Sequence, residues 1–179
     1  SKSEIIGRLA DNKEGDDYCV LIQHSIITQV EKQAEHIRIT LESIRKSGKH
    51  CFVNYPNYDA GSTAIIEAYR EYAKNYPDQF TLFQNLDRIS YVNLLRHALF
   101  LIGNSSSGLV EVGSLGLPAI NVGERQRGRL HGDNVLFVDN DETEILKAIE
   151  TVLTDSGFLA KVKLKNNPYG DGKSSDKVV

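Results

Sequence analysis

Several features that define particular classes of protein are missing from this sequence. No apolar run approaches the roughly 20 residues that a membrane-spanning helix needs, and the first residues show no signal-peptide pattern. We therefore expect a cytoplasmic protein that does not enter a membrane. The net charge of −3 argues against a nucleic-acid binder, because such proteins usually carry a basic surplus.

Cysteine is scarce, and several catalytic motifs are absent. The two cysteines, Cys19 and Cys51, lie in apolar runs, so we expect buried free thiols rather than a disulfide. A Cys-based zinc site needs more ligands, and no His-x-x-x-His spacing or Gly-x-Ser-x-Gly elbow occurs. Neither Gly-x-Gly-x-x-Gly after the first strand nor a Walker lysine motif is present. We therefore expect no metal and no cofactor.

Methionine is also absent, so Ser1 is not a retained initiator. We expect the sequence to be a piece of a longer polypeptide or a processed product. Its 179 residues, 40% of them hydrophobic, suffice for one ordinary domain with a single core.

Apolar strands alternate with amphipathic helices along most of the chain. The strand-like runs are residues 18–22, 49–55, 80–83, 99–102, 119–122 and 135–138. Helical spacing occupies residues 28–46, 64–72, 91–97 and 142–153. The apolar residues of the 28–46 segment are Val30, Ala34, Ile37, Leu41 and Ile44. Asp141 is predicted to cap the 142–153 helix. This alternation predicts an α/β, Rossmann-like parallel sheet with helices on both faces.

Uncommon polar residues gather in the loops that follow the predicted strands. These loops are residues 23–25, 57–62, 84–85, 104–107 and 123–126. The carboxyl ends of parallel strands meet at one edge of a sheet, and ligands bind there. The sequence therefore predicts one binding site built from these loops.

The most informative segment is residues 103–111. Small hydroxylated residues follow a predicted strand and begin a helix, which leaves backbone N–H groups free to bind a phosphate. Glu111 lies close enough in the chain to accept hydrogen bonds from a ribose. Capping of the helix by Asn104 and Ser105 is the alternative, and it is the commoner role for such residues.

Three further residues are candidates for phosphate or nucleotide binding. His24 directly follows the first strand and can donate a hydrogen bond to a phosphate, although a structural role is the alternative. Arg125 precedes Arg127 and Arg129 after the fifth strand, and guanidinium groups bind phosphate at two points, although the loop is equally consistent with a solvated surface. Asn57 lies in a segment rich in ordinary turn residues.

Four motifs in order resemble the carboxyl-terminal half of the UDP-N-acetylglucosamine 2-epimerases. They are residues 55–61, residues 102–108 together with Glu111, residues 121–129 and residues 167–172. The Arg-Gln-x-Gly-Arg form of the third motif resembles the hydrolysing branch, which feeds sialic acid, nonulosonic acid and capsule sugar synthesis.

The resemblance implies a GT-B arrangement, in which UDP lies between two Rossmann-like halves. This chain would be the second half. Residues 1–16 would be a connecting helix and linker, residues 17–160 the UDP-binding domain, and residues 161–179 a loop or tail that packs on the missing amino-terminal half. Open halves of this kind often pair through helices, so a homo-oligomer is also an expectation.

The resemblance further implies a reaction and a set of site residues. UDP is eliminated from UDP-N-acetylglucosamine to give 2-acetamidoglucal, and water then adds to give N-acetylmannosamine. The acid and base carboxylates lie largely in the missing half, so this chain alone is expected to be inactive. The residues that carry over are His24, as the catalytic and diphosphate-side residue, Ser105 and Ser106 at the phosphate, Glu111 at the ribose, and Asn57 and Arg125 on the nucleotide side.

One departure and two alternatives accompany this interpretation. Ser25 stands where the family often has proline, which puts the local loop shape in doubt. The alternatives are half of a GT-B UDP-sugar glycosyltransferase and a sugar-nucleotide-binding module without chemistry of its own.

Overall fold

The sheet has six parallel strands. A computed structural model describes residues 2–9 and 17–170. The strands are β1 (Tyr18–Ile22), β2 (His50–Asn54), β3 (Phe80–Phe83), β4 (Leu101–Gly103), β5 (Ala119–Val122) and β6 (Val135–Val138). Their spatial order is β3-β2-β1-β4-β5-β6, so the chain switches direction between β1 and β4. In this Rossmann-like order a crevice opens beyond the carboxyl ends of those two strands. The predicted fold class is confirmed.

Helices cover both faces of this sheet, as predicted. The described helices are α1 (Lys2–Leu9), α2 (Gln33–Ser47), α3 (Ser62–Asn75), α4 (Arg88–Arg96), α5 (Ser107–Val110), α6 (Val112–Leu115), α7 (Glu142–Thr154) and α8 (Ser156–Lys163), with a 3-10 segment at Ile27–Lys32. Successive residues of β1 alternate between two apolar clusters, which therefore lie on opposite faces. One cluster holds α2, α3 and α7, and the other holds α1, α4, α5 and α6.

The central strands are apolar throughout because both of their faces are covered. Every residue of β1 is buried, which is typical of parallel sheets between helix layers. Cys19 of β1 pairs in register with Cys51 of β2, and both thiols are free and buried. Burial raises the pKa of the Cys51 thiol, so the thiol remains protonated and behaves as a small apolar side chain.

The predicted helix over residues 28–46 is wrong in its first part. Gln29 has non-helical backbone angles, with φ −135° and ψ 33°, and α2 begins only at Gln33. The side-chain amide of Gln33 donates to the carbonyl of Gln29 at 2.9 Å, which ties the two segments together. Val30 and Ala34 are exposed, whereas the later members of the predicted apolar face, Ile37, Leu41 and Ile44, are buried.

Side-chain caps determine where two helices begin. The Asp87 carboxylate accepts a hydrogen bond from the amide of Ser90 at 3.0 Å, so α4 begins three residues before the predicted start at residue 91. Asp141 accepts from the amide of Glu144 at 3.0 Å, and the predicted cap of α7 is confirmed. Such caps satisfy amides that have no partner inside the helix.

The predicted loop or tail over residues 161–179 is wrong at its first residues. The Asp155 carboxylate accepts from the amide of Phe158 at 2.9 Å and starts α8, which extends to Lys163. Residues 161–163 are therefore helical rather than part of a loop. Within the predicted connecting segment, residues 2–9 form α1, and residues 10–16 lie outside the described residues, as do residues 171–179. The predicted linker and the packing of the tail stay predictions.

Candidate functional site

Strands β1 and β4 approach each other so closely at their carboxyl ends that only glycine fits at position 103. Ile22 pairs with Gly103 across the two strands. Gly103 has a φ of +125°, and a Cβ there would lie 2.1 Å from the carbonyl oxygen of Ile22. Glycine is tolerated because it lacks this atom. The loops that leave the two strands are thereby placed side by side, at the switch point where α/β sheets bind ligands.

The side chain of Asn104, only 3% exposed, fastens the loop after β1. Its Oδ1 accepts a hydrogen bond from the amide of His24 at 2.7 Å, and its Nδ2 donates to the carbonyl of His24 at 2.9 Å. Helix α5 instead has Ser106 at its N-cap position, without a side-chain hydrogen bond. The capping alternative is therefore wrong for Asn104, whose side chain bonds to His24.

The backbone of Asn104 connects this pair to the loop after β5. Its carbonyl accepts from Arg125 Nη1 at 3.0 Å and from Gln126 Nε2 at 2.9 Å. Arg129 donates in turn to Gln126 Oε1 at 2.6 Å, which fixes the buried glutamine. Arg127 instead pairs with Asp139 at 2.5 Å. Of the three arginines, Arg125 is therefore the one directly bonded to Asn104, and its exposed side chain retains further N–H groups for a ligand.

His24 is held as a neutral hydrogen-bond donor. Its Nδ1 accepts from the backbone amide of Asn57 at 3.1 Å, which assigns the ring proton to Nε2. Burial lowers the pKa of His24 below its usual 6.5, the positive charge of Arg125 lowers it further, and Asp59 acts in the opposite direction. At neutral pH the ring is therefore uncharged, and its Nε2–H group can serve a phosphate oxygen.

Asn57 contributes its backbone to this contact, while its side chain is exposed. The turn that carries it is tied to the β1 loop by Ser25, whose hydroxyl donates to the carbonyl of Ala60. Gly61 has a φ of +88°, and a Cβ there would lie 2.6 Å from Ser25 Oγ. Ser25 therefore uses its hydroxyl to join the two loops.

Residues 105–107 form the turn that begins α5. Ser105 Oγ accepts a long hydrogen bond, 3.3 Å, from the amide of Ser107. Within residues 2–9 and 17–170, no group accepts a hydrogen bond from the amides of Ser105 and Ser106. Two unpaired N–H groups on one turn are suited to an anion, and the loop is adjacent to His24 through Asn104.

Glu111 lies at the break between α5 and α6 and is half-buried. The hydroxyl of Ser107 donates to its Oε2, and the hydroxyl of Tyr91 lies 2.7 Å from Ser107 Oγ. Burial raises the pKa of Tyr91 to about 12, so this phenol keeps its proton at neutral pH. The carboxylate thus faces a chain of hydroxyl groups rather than the apolar interior, and its Oε1 has no hydrogen-bond partner among the described residues.

The predicted site residues therefore occupy one edge of the sheet. His24, the amide of Asn57 and Arg125 meet around Asn104, and the 105–107 turn continues from it to Glu111. Sequence reasoning did not assign the roles of Tyr91, Ser107 and Gln126. The spacing of Ser107 and Glu111, four residues apart, is the one signal that places such a pair on the same side of a helix.

The described part of the chain has neither a metal-binding cluster of side chains nor a membrane-spanning helix. Among residues 2–9 and 17–170, no group of three or more His, Cys, Asp or Glu side chains is placed to hold a metal ion. None of the helices formed by those residues is both long enough and apolar enough to cross a membrane.

Comparison with known proteins places the chain in a family. The family model described as UDP-N-acetylglucosamine 2-epimerase matches residues 2–179. A Legionella pneumophila protein named UDP-N,N'-diacetylbacillosamine 2-epimerase (hydrolyzing) is 32% identical over 160 residues, which cover 89% of this chain and 40% of that protein. A Neisseria meningitidis serogroup B UDP-N-acetylglucosamine 2-epimerase is 30% identical over 145 residues, which cover 81% of this chain and 38% of that protein. The chain therefore spans about two fifths of the length of these curated relatives.

Solved structures show the same fold. The UDP-GlcNAc 2-epimerase from Neisseria meningitidis bound to UDP-GlcNAc matches with a TM-score of 0.75 and 14% identity, over 99% of this chain and 47% of that chain. The S. aureus MnaA-UDP co-structure matches with a TM-score of 0.74 and 17% identity, over 99% of this chain and 46% of that chain. The chain has the fold of one half of such a GT-B type protein.

Proposed function

This chain belongs to the UDP-N-acetylglucosamine 2-epimerase family, and from that premise we propose that it is the UDP-binding half of a hydrolysing 2-epimerase. The observation that carries the proposal is the arrangement at the ends of β1 and β4. There a neutral imidazole donor on the loop after β1 lies beside the segment after β4, which carries two unpaired amides and a carboxylate. The first two suit a diphosphate, and the third suits a ribose.

The diphosphate would be bound by donors that keep their positions during the reaction. The amides of Ser105 and Ser106 and the Nε2–H group of His24 are fixed by the backbone and by Asn104. Arg125 adds a positive charge next to them. Eliminating UDP builds negative charge on its β-phosphate, so prearranged donors there stabilise the transition state. This is the sense in which His24 is proposed to be catalytic.

The ribose would be bound by Glu111. Ser107 holds Oε2 of its carboxylate, and Oε1 has no partner among the described residues, so one oxygen orients the side chain while the other can accept from sugar hydroxyls. A charge-assisted hydrogen bond of this kind is stronger than a neutral one. The side chain of Asn57, which is exposed at the same edge, is proposed as a further nucleotide contact.

The hydrolysing outcome is supported by the relatives and by one motif. The Legionella pneumophila relative is named as a hydrolyzing enzyme, and an Escherichia coli relative, 31% identical over 155 residues, is named polysialic acid biosynthesis protein P7. The Arg-Gln-x-Gly-Arg sequence of residues 125–129 resembles the form of the hydrolysing branch. We therefore propose UDP-N-acetylglucosamine or a diacetamido relative as the substrate, and sialic acid or capsule sugar synthesis as the role.

The acid and base carboxylates of the reaction are proposed to come from an amino-terminal half that precedes this chain. Packing of the segment that follows residue 170 on that half, and assembly into a homo-oligomer, stay predictions. Accordingly, the purified chain should release no N-acetylmannosamine from UDP-N-acetylglucosamine. A polypeptide with both halves should release N-acetylmannosamine and UDP without an acceptor, whereas a glycosyltransferase would leave most of the sugar nucleotide intact.

Calorimetric titration of UDP into the chain tests the binding site directly. Replacing Glu111 with alanine should weaken UDP binding about 30-fold to 100-fold, because charge-assisted hydrogen bonds to the ribose are lost. Glu124→Ala is the matched control, since Glu124 is an exposed carboxylate at the same edge whose hydrogen bond is to Gln29. Equal UDP affinity in the wild type and Glu111→Ala would contradict the assignment of Glu111.

A further inference from the structure

Asn167, in the loop after α8, reaches the break between α5 and α6. Its Nδ2 donates to the carbonyl of Val110 at 2.9 Å and to Ser114 Oγ at 2.7 Å. Its Oδ1 accepts from the amide of Tyr169 at 3.0 Å. Both ends of this side-chain amide are therefore engaged, and its donor end is directed at the two residues that flank the segment carrying Glu111.

The two short helices need such a partner where they separate. Helix α5 ends at Val110 and α6 begins at Val112, so Glu111 lies between them with φ −99° and ψ −46°. Carbonyl groups in the last turn of a helix lose their intrahelical partner. The Val110 carbonyl finds one in Asn167, which stabilises the interruption rather than either helix alone.

The loop that carries Asn167 is itself held by hydrogen bonds. The hydroxyl of Tyr169 donates to the carbonyl of Leu130 at 2.9 Å, and the amide of Gly170 donates to the carbonyl of Asn167 at 3.1 Å. The approach to α6 is close, since a Cβ at Gly113 would lie 3.6 Å from the Cβ of Asn167. A loop held in this way can fix the backbone conformation where α5 and α6 separate.

We propose that Asn167 is a positioning residue that holds the interrupted turn so that the Glu111 carboxylate faces a ribose. The inference rests on the proposed function of Glu111. Asn167 acts through the backbone at Val110, whereas Ser107 donates to the carboxylate itself and Tyr91 contacts the Ser107 hydroxyl. Removal of the Asn167 amide leaves the Val110 carbonyl without its partner and allows the turn that carries Glu111 to take other arrangements.

The test compares two ligands in each variant of the 179-residue chain. UDP carries both ribose hydroxyls, and 2′,3′-dideoxyuridine 5′-diphosphate carries neither, so the ratio of their affinities measures recognition of the ribose. This ratio does not depend on how much of the protein is folded. The variants are Asn167→Ala, and Asn167→Asp, which removes the donor at nearly constant size. Asn166→Ala and Asn166→Asp are matched controls because the Asn166 side chain is exposed.

Both Asn167 variants should weaken UDP binding about tenfold, through lost hydrogen bonds that hold the turn. Binding of the dideoxy analogue should change less than about twofold, so the ratio falls, and both Asn166 variants should keep the wild-type ratio. Equal weakening of both ligands in the Asn167 variants shows a purely structural role and overturns the inference, as does an unchanged affinity for UDP. A wild-type chain that binds no UDP overturns the proposed function itself, so the two failures are distinguishable.

Discussion

Truncation of Asn104 to alanine tests whether one buried amide holds the site together. The substitution removes two hydrogen bonds, at 2.7 Å and 2.9 Å, to the amide and the carbonyl of His24. It leaves the backbone of Asn104 in place, so the contacts that its carbonyl accepts from Arg125 and Gln126 can persist. The perturbation is therefore confined to the junction between the loops after β1 and β4.

The expected loss of stability follows from the two backbone groups left without a partner. Each unsatisfied buried group costs about 1–3 kcal/mol. His24 is half-buried, so water can reach part of the loop, and the lower half of that range applies. The free energy of unfolding of Asn104→Ala should therefore fall by about 2–4 kcal/mol, a large part of the stability of an ordinary domain.

Urea denaturation measures this loss as a lower midpoint at an unchanged slope. Asn57→Ala is the control, because the Asn57 side chain is exposed and its backbone amide, which contacts His24, survives the change. The control should stay within about 0.5 kcal/mol of the wild type. An Asn104→Ala chain as stable as Asn57→Ala would refute the reasoning, since the amide would then contribute nothing to the junction.

Two further variants test the strand junction and the charge state of the imidazole. Gly103→Ala should cost about 3 kcal/mol or more in unfolding free energy, because its Cβ meets a backbone oxygen at positive φ. Gly48→Ala, at φ +70° with no atom within 4 Å, should cost only about 1–2 kcal/mol, and equal losses in denaturation curves would disprove the steric argument. Folding lowers the pKa of His24 below its ordinary value of 6.5. As the pH falls through 6.5, the unfolded chain therefore binds more protons than the folded chain, and the free energy of unfolding decreases. Between about pH 7.5 and about pH 5.5, His24→Gln should lose less stability than the wild type, and an equal loss would show that His24 does not titrate in this way.

The strands were predictable because their burial is visible in the chain itself. Parallel strands between two helix layers are apolar on both faces, so Tyr18–Ile22 and Val135–Val138 appear as uninterrupted apolar runs. The gathering of loops at one edge followed from the topology of such sheets. The hydrogen bonds that join those loops were harder to predict from the sequence, since Asn57 contributes a backbone amide rather than its side chain.

The errors share a physical cause, which is dependence on distant contacts or on single backbone angles. Val30 satisfies helical periodicity, yet the non-helical angles of Gln29 delay the start of α2 to Gln33, and Val30 is exposed. A helix was expected to begin within residues 103–111. It breaks at Glu111, where the Val110 carbonyl accepts from a side chain 57 residues away, and no local pattern reports such a partner.

The two ends of the proposed ligand would be bound by groups that are anchored separately. The phosphate donors depend on Asn104, which is fixed by the central strands β1 and β4. The ribose carboxylate depends on Ser107 and on Asn167, which belongs to the loop after α8. On the proposed assignment, a change in that loop should alter recognition of the ribose while leaving the phosphate donors in place. In the proposed elimination, charge would develop on the phosphate, so the central strands would support the step that needs fixed donors, and the more peripheral loop would support recognition of the nucleoside.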